Sequence, residues 1–378
     1  MTTFEPWQKP LRERLGVLSS ETHRVAYFAP KPDSGSFRYR CYNMAQAINE
    51  HSSSLSASYF FLSDLAHIRD LSEFADTLVV FRTPYDTDIH RLITQFVRKG
   101  KRVLFDIDDL VFDTAYAPLV TSNLNYKLWG KDIDQWFAFI ANIGACMKLC
   151  DEVITTNPFL QEKALEYSGL PVSVIPNFFN NEQLEASKTP EAIKKLSARS
   201  EGLQLGYFSG SQSHAKDFAV ASAEIANFLT SSPHSSLTVI GHLDIPPELS
   251  NLQAQISHKP FLSFVDLQSA VAQVDVNLVP LQMSPFTFSK SELKYFEAAL
   301  VKTLTLASPT PLFSKVIRDN LTGFLAPAGQ WHRKLREIEE LSTARRNKIA
   351  TAAYDHTLAD YSPGAIASRL EKLLNPRN

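Results

Sequence analysis

Residues 274–307 read VDVNLVPLQMSPFTFSKSELKYFEAALVKTLTLA, and the order of elements in this stretch decides the fold. A short apolar strand (Val274 to Val279) enters a polar loop, a helix opens near Ser289, and a second strand (Leu304 to Ala307) follows. Strand, helix, strand over this length is the unit of a parallel sheet. At the 3.6-residue period Lys290, Lys294 and Glu297 share one side of the helix, while Leu293, Phe296 and Leu300 share the other. The apolar side suits packing on a sheet and the charged side suits a cleft. Lysines at a helix start hold anions, and a carboxylate accepts from vicinal hydroxyls, so a phosphorylated, sugar-like ligand fits these residues. A solvated helix face with charges at i, i+4 and i+7 fits the same spacing.

The unit repeats along the chain. Upstream, Leu203 to Phe208 and Leu237 to Ile240 are two more apolar runs, with helices near Phe218 to Thr230 and Phe264 to Gln273. Earlier still, Arg24 to Ala29, Ser56 to Leu62, Thr77 to Phe81, Arg102 to Ile107, Glu152 to Thr155 and Val172 to Ile175 form a first series, most of them separated by helix-length segments. Two doubly wound α/β domains follow, joined through the polar segment 180–200. The boundaries read as 1–180, 181–345 and a helical tail 346–378 whose last helix (Pro363 to Leu374) can pack back on the first domain.

A chain of 378 residues, 44% of them hydrophobic, is long enough for two cores with a cleft between them. A net charge of −2 without a dominant Lys or Arg run argues against nucleic acid as a partner. Cys41, Cys146 and Cys150 lack CxxC spacing, which points to a reducing compartment and to core thiols. With neither a signal-like start nor an 18-residue apolar run, the expected location is cytoplasmic. The apolar segment Trp136 to Met147, WFAFIANIGACM, reads as a buried helix, with contact to the inner face of a membrane as the alternative.

Ligands of open parallel sheets bind beyond the carboxyl ends of the strands, so the residues after each run carry the chemistry. In YFSGSQSHAKD (207–217), Gly210 lets backbone approach closely. Ser211 offers a hydroxyl and helix-opening amides, and His214 and Lys216 offer donors, a set suited to a diphosphate. Pro260 and Phe261 can present backbone and a ring edge to a nucleotide base. In the first domain GSFRYRCYN (35–43) sets Arg38 and Arg40 among aromatics, and Arg82 ends the third strand; guanidinium groups there suit phosphate or carboxylate.

VLFDIDDLVFD (103–113) places four carboxylates at and past a strand end. Asp106 and Asp108 can ligate magnesium. Asp106 can instead be the nucleophile of a haloacid-dehalogenase-like phosphotransferase, although that family's Thr or Val two positions after the second Asp is Leu110 here. Asp106, Asp108 and Asp109 can also orient acceptor hydroxyls or arginines, or cap a helix.

The motifs GSFRYRCYN, KRVLFDIDDLVF, DEVITTNPFLQEKALEYSGLPVSVIPNFFN, YFSGSQSHAKDF, VPLQMSPFTFSKSELKYFEAALVKTLTLASPT and NLTGFLA, in this order, resemble the family-four-like bacterial glycosyltransferases of GT-B fold. Among these are the rhamnosyltransferases of surface polysaccharide and S-layer glycan assembly. The resemblance spans roughly Arg24 to Trp331. It implies a UDP-, dTDP- or GDP-linked sugar held by the second lobe and a glycan or lipid-linked saccharide acceptor held by the first. Metal and further cofactor are not required. Glu297 matches the second Glu of that family's Glu-x7-Glu motif and so implies a ribose-binding carboxylate. Ser289 stands where the first Glu belongs, with Ser289, Lys290 or Ser291 as its substitutes. Gly210, Ser211, His214 and Lys216 match the diphosphate loop, and Lys216, Lys290 or Lys294 would stabilise the departing diphosphate. Retention of anomeric configuration by front-face attack is implied, without a protein nucleophile. Arg38, Arg40, Arg82, Asp106, Asp108 and Asp109 fall on the acceptor side, and a non-catalytic nucleotide-sugar or glycan-binding protein is the third reading.

Overall fold

The computed structural model describes residues 5–19, 23–33, 35–124, 128–189, 202–210 and 215–375. Among these residues twelve parallel strands form two sheets of six. The first comprises β1 (His23–Ala29), β2 (Leu55–Phe61), β3 (Thr77–Phe81), β4 (Arg102–Ile107), β5 (Glu152–Thr155) and β6 (Val172–Val174), in the order β2-β1-β3-β4-β5-β6. The second comprises β7 (Gln204–Ser209), β8 (Ser236–Gly241), β9 (Ile256–Lys259), β10 (Val276–Val279), β11 (Leu304–Ala307) and β12 (Phe324–Leu325), in the order β12-β11-β10-β7-β8-β9. Helices cover both faces, which is why the central strands are buried along nearly their whole length rather than alternating.

Each sheet reverses direction once, between β1 and β3 in the first and between β7 and β10 in the second. Connections leave opposite faces at such a point, and a crevice opens beyond the strand ends. In the second sheet β7 and β10 pair only through Leu205 and Gly206 with Val276 and Asn277, so the two strands have parted before they reach their carboxyl ends.

The strand runs read from the sequence reappear within a residue or two, apart from β9 and β12. β9 is the polar edge sequence ISHK and β12 only two residues long; neither carries an apolar run of strand length. A larger correction concerns the helix expected from Ser289. The chain instead makes a short helix at Pro285–Phe288, then four non-helical residues, and the main helix spans Leu293–Leu300. The carbonyls of Ser289 and Lys290 accept from Asn157 Nδ2 of the first lobe at 3.0 and 3.3 Å, so these groups join the lobes instead of continuing a helix.

After β1, residues Arg38–Tyr42 form a π-helical turn that runs directly into the α-helix Asn43–His51. Such wide turns concentrate at functional sites because they re-aim side chains. One apolar cluster crosses between lobes: Trp7 stacks on Phe264 of the second lobe with ring centroids 5.9 Å apart and meets Phe37 and Tyr42 of the first edge-on. The terminal helix Pro363–Leu374 lies on the first lobe, where Glu371 accepts from Ser52 Oγ at 2.5 Å and the Leu373 carbonyl accepts from Arg102 at 3.0 Å. The segment containing WFAFIANIGACM is the helix Lys131–Met147. Its last turns are buried through Ile140, Ile143 and Met147, as the buried-helix reading expects, whereas Phe137 and Phe139 are exposed.

Candidate functional site

A cavity of about 530 Å³ lies between the lobes at both reversal points. The first sheet contributes Gly35 and Arg38 beyond β1, Arg82 beyond β3, and Asp108 and Asp109 beyond β4. From the second come Ser209 at the end of β7 and Gly210 beyond it, Phe261 beyond β9, Leu281 beyond β10, and Lys290, Ser291, Lys294 and Glu297 around the helix Leu293–Leu300. Residues distant in sequence meet here because each sits at the carboxyl end of a parallel strand.

Glu297 is nearly buried and lines the cavity. Three donors converge on its Oε1: the Tyr39 hydroxyl, Gln183 Nε2 at 3.1 Å, and the Arg38 guanidinium at 3.7 Å. Arg38 is sandwiched between the Tyr39 and Phe264 rings, 4.0 and 4.5 Å from their centroids. The other oxygen, Oε2, takes no protein hydrogen bond among the described residues. The carboxylate is thus oriented by first-lobe and linker groups through one oxygen.

Lys294, one turn before Glu297, is packed into the cavity wall, its ammonium 5.0 Å from the Tyr207 ring centroid. Burial lowers its pKa to about 8, against the attraction of Asp217 and Glu297. Among the described residues no carboxylate lies within ion-pair distance of it. Lys290 also lines the cavity, but its ammonium is held by Asp109 at 2.9 Å and lies over the Phe286 ring at 4.0 Å. Against the effect of burial, Lys290 and Arg82 hold the Asp109 carboxyl below its ordinary range.

The carboxylates of the 106–109 run therefore each meet a cation. Asp106 accepts both guanidinium hydrogen bonds of Arg40 at 2.8 Å, and Arg40 also reaches the Ile175 carbonyl at 2.7 Å and Asn177 at 3.1 Å. Both side chains are buried behind the cavity. Asp108 accepts from Arg82 at 3.1 Å. Arg82 has φ of 40°, in the left-handed region, a strained conformation for a residue other than glycine, and it places the guanidinium at the cavity mouth.

Of the sequence candidates, Arg38, Arg82, Asp108, Asp109, Gly210, Phe261, Lys290, Ser291, Lys294 and Glu297 come together around one cavity. Ser291 accepts there from Asn177 Nδ2 at 3.0 Å. Arg40, Asp106, Ser289, Lys216 and Pro260 do not line it. Ser289 is fully buried and its hydroxyl lies 2.7 Å from the Phe286 carbonyl and 3.2 Å from Asp109. Lys216 donates to the Ser122 carbonyl of the first lobe. Ser211 and His214 lie outside the described residues. Tyr39, Gln183, Asn177 and Trp136 were not singled out from sequence. Tyr39 and Asn177 sit inside quoted motifs and Trp136 opens the quoted apolar segment, but Gln183 reaches the site only through packing against Glu297.

Two Rossmann-like lobes with a cavity across their reversal points, apolar over most of its wall and set with a few charged groups, define a protein of GT-B fold. Residues 223–374 match a family model described as glycosyl transferase-like. Among solved structures, the chain is similar to the Anabaena protein HepE in complex with UDP and glucose, with TM-score 0.60 at 12% identity over 93% of this chain and 99% of that one. It is likewise similar to a glycosyltransferase from Rickettsia africae (TM-score 0.62, 13% identity, 93% and 98% covered). A third is WaaG, a glycosyltransferase involved in lipopolysaccharide biosynthesis (TM-score 0.61, 12% identity, 93% and 100% covered). At such identities the likeness is one of fold. No curated protein sequence matches the chain.

Proposed function

We propose that the chain is a glycosyltransferase that moves a hexose or deoxyhexose from a nucleoside diphosphate to a glycan or lipid-linked saccharide, with retention of configuration. The observation that carries this reading is Lys294: a half-buried lysine in the cavity wall, lining it with Lys290 and Gly210, with no carboxylate among the described residues within ion-pair distance. A cation so placed favours an anionic ligand, since burying an unpaired charge is costly. Glu297 with its cavity-side oxygen suits the ribose hydroxyls, and the exposed Phe261 ring suits the base. In the transfer, an acceptor hydroxyl oxygen bonds to the anomeric carbon, and the bond from that carbon to the diphosphate breaks with its electron pair on the diphosphate. The hydroxyl proton passes to a diphosphate oxygen. Lys294 and Lys290 stabilise the charge that develops on the leaving group. Arg82, Asp108 and Asp109 face the acceptor, and the Arg40–Asp106 pair braces the turn that carries them. Neither a metal nor a cofactor is part of this scheme, and an acyl-phosphate intermediate on Asp106 would have to displace Arg40 first.

The test is thermal unfolding with UDP, dTDP and GDP in turn. A ligand at 100 times its Kd stabilises the native state by ~2.7 kcal/mol, so at least one of them should raise the Tm clearly. A Tm unmoved by all three overturns the donor site.

A further inference from the structure

We propose that Glu292 and Tyr361 are positioning residues for the donor site: their contact pins the start of the helix Leu293–Leu300 to the point where the chain crosses back to the first lobe. The proposal rests on the donor reading of the cavity. Glu292 itself does not line the cavity, yet Ser291 before it and Leu293 and Lys294 after it do. Its carbonyl accepts from the amides of Tyr295 at 2.8 Å and Phe296 at 3.4 Å, the first bonds of that helix. A rotation at Glu292 is therefore carried to Lys294 and Glu297, which the same helix holds.

Tyr361 is the last residue of the helix Thr343–Tyr361, and Ser362, in extended backbone, caps the helix Pro363–Leu374 that lies on the first lobe. Two contacts join Tyr361 to the donor helix. Its hydroxyl donates to Glu292 Oε1 at 2.9 Å, with both residues buried. Its ring stacks on Phe296 with centroids 5.4 Å apart. Phe296 in turn meets the Tyr39 ring edge-on at 6.1 Å, and the Tyr39 hydroxyl donates to Glu297. A column of rings thus leads from the crossover to the carboxylate assigned to the ribose.

The Glu292 side chain is devoted to this contact. Its Oε2 is buried and has no hydrogen-bond partner among the described residues. Arg40 attracts it from the first lobe but is already bonded to Asp106, Asn177 and the Ile175 carbonyl, and Lys315 attracts it from the helix Pro311–Val316. On the helix that carries Tyr361, His356 and Asp360 lie 3.1 Å apart, and His356 Nδ1 is 2.9 Å from the Tyr295 hydroxyl. Burial raises the Glu292 pKa to about 7, against its own backbone amide, the Tyr361 hydroxyl and the two cations. Apolar side chains stabilise such a spot at least as well as a buried acid, so what the carboxyl adds is direction: it fixes where the Tyr361 hydroxyl points.

The experiment is calorimetric titration at a pH of about 6, where a carboxyl of this pKa is mostly neutral. The parent is titrated with UDP, dTDP and GDP. The tightest of the three is then used on Glu292→Gln, Glu292→Ala, Tyr361→Phe and the Glu292→Ala, Tyr361→Phe double variant, with the Tm of each recorded. Tyr361→Phe keeps the ring and loses one hydrogen bond, so its Kd should rise about 3- to 10-fold. Glu292→Ala should raise it by at least as much, and the double variant no further, because both changes remove the same contact. Glu292→Gln keeps an acceptor for Tyr361 in a neutral group of the same shape and should stay within about twofold of the parent. A purely structural role would lower the Tm of the variants and leave the Kd of the folded protein unchanged, and that result overturns the proposal. Losses that add in the double variant, or a Glu292→Gln that binds as weakly as Glu292→Ala, overturn it too. Should Glu292→Ala not fold, Tyr361→Phe decides alone. A parent that binds none of the three nucleotides removes the donor site and this proposal with it. A parent that binds, beside a Tyr361→Phe variant that binds equally well, removes this proposal alone.

Discussion

Glu297→Gln is the most informative single change, because the geometry dictates how the variant amide must turn. Three donors, from Tyr39, Gln183 and Arg38, converge on Oε1 of the native carboxylate. The variant must offer them its amide oxygen, which leaves the NH₂ group at the cavity-side position. That group has no lone pair to offer, so ribose hydroxyls that donate to Oε2 lose their acceptor. A hydrogen bond to a charged group contributes ~1.5–3 kcal/mol, and each ~1.4 kcal/mol is tenfold in affinity. The variant should therefore bind the preferred nucleoside diphosphate roughly 10- to 100-fold more weakly. The assay is a two-by-two cycle by calorimetry: parent and variant, each with the nucleotide and with its analogue lacking the ribose hydroxyls. The analogue should bind parent and variant within about twofold of each other, because it has nothing to donate. Equal losses with both nucleotides would refute the ribose assignment and leave Glu297 as a structural bridge between lobes. Tyr39→Phe, which leaves two donors on Oε1, should weaken binding less than Glu297→Gln.

Two other outcomes follow from the same geometry. The Lys294 pKa of about 8 applies to the empty cavity, and a bound diphosphate favours the charged form. Affinity should thus be level below pH 8 and fall as pH rises through it, by at most about tenfold per pH unit, with proton uptake on binding near pH 8. Lys294→Met should bind weakly with a flat profile, and a parent whose affinity is constant from pH 7 to pH 9.5 would exclude Lys294 as the diphosphate cation. The Arg40–Asp106 pair is fully buried and bidentate. Asp106→Ala strands the guanidinium and should cost ~3–5 kcal/mol of stability in chemical denaturation, whereas Asp106→Leu with Arg40→Met should recover most of it. A single variant within about 1 kcal/mol of the parent would contradict the structural role.

The fold was legible because buried parallel strands are written as continuous apolar runs at helix-length intervals, a signal that survives without any partner in view. Most of the cavity was legible for a related reason: residues just after those runs are placed by topology alone, so Arg82, Asp109 and Gly210 could be nominated one by one, and Lys294 and Glu297 by helical spacing. What could not be read was pairing. In VLFDIDDLVFD the four carboxylates look alike, yet three of them take a partner from elsewhere, Arg40 from the turn after β1, Arg82 from the end of β3 and Lys290 from the other lobe, while Asp113 caps the turn that follows it. A carboxylate run read along the chain suggests a metal or a nucleophile, because its counter-charges are invisible there. Ser289 gives the same lesson in reverse. Its spacing from Glu297 suggests a ligand contact on a common helix face, but that inference assumes a continuous helix. Once Asn157 takes the carbonyls of Ser289 and Lys290, the periodicity is broken, and the hydroxyl turns to Asp109. The bonds that displace Ser289 from the cavity are cross-lobe bonds. A site assembled between two lobes has as its weakest sequence signals the residues that join them, since each is defined only by a group more than a hundred residues away.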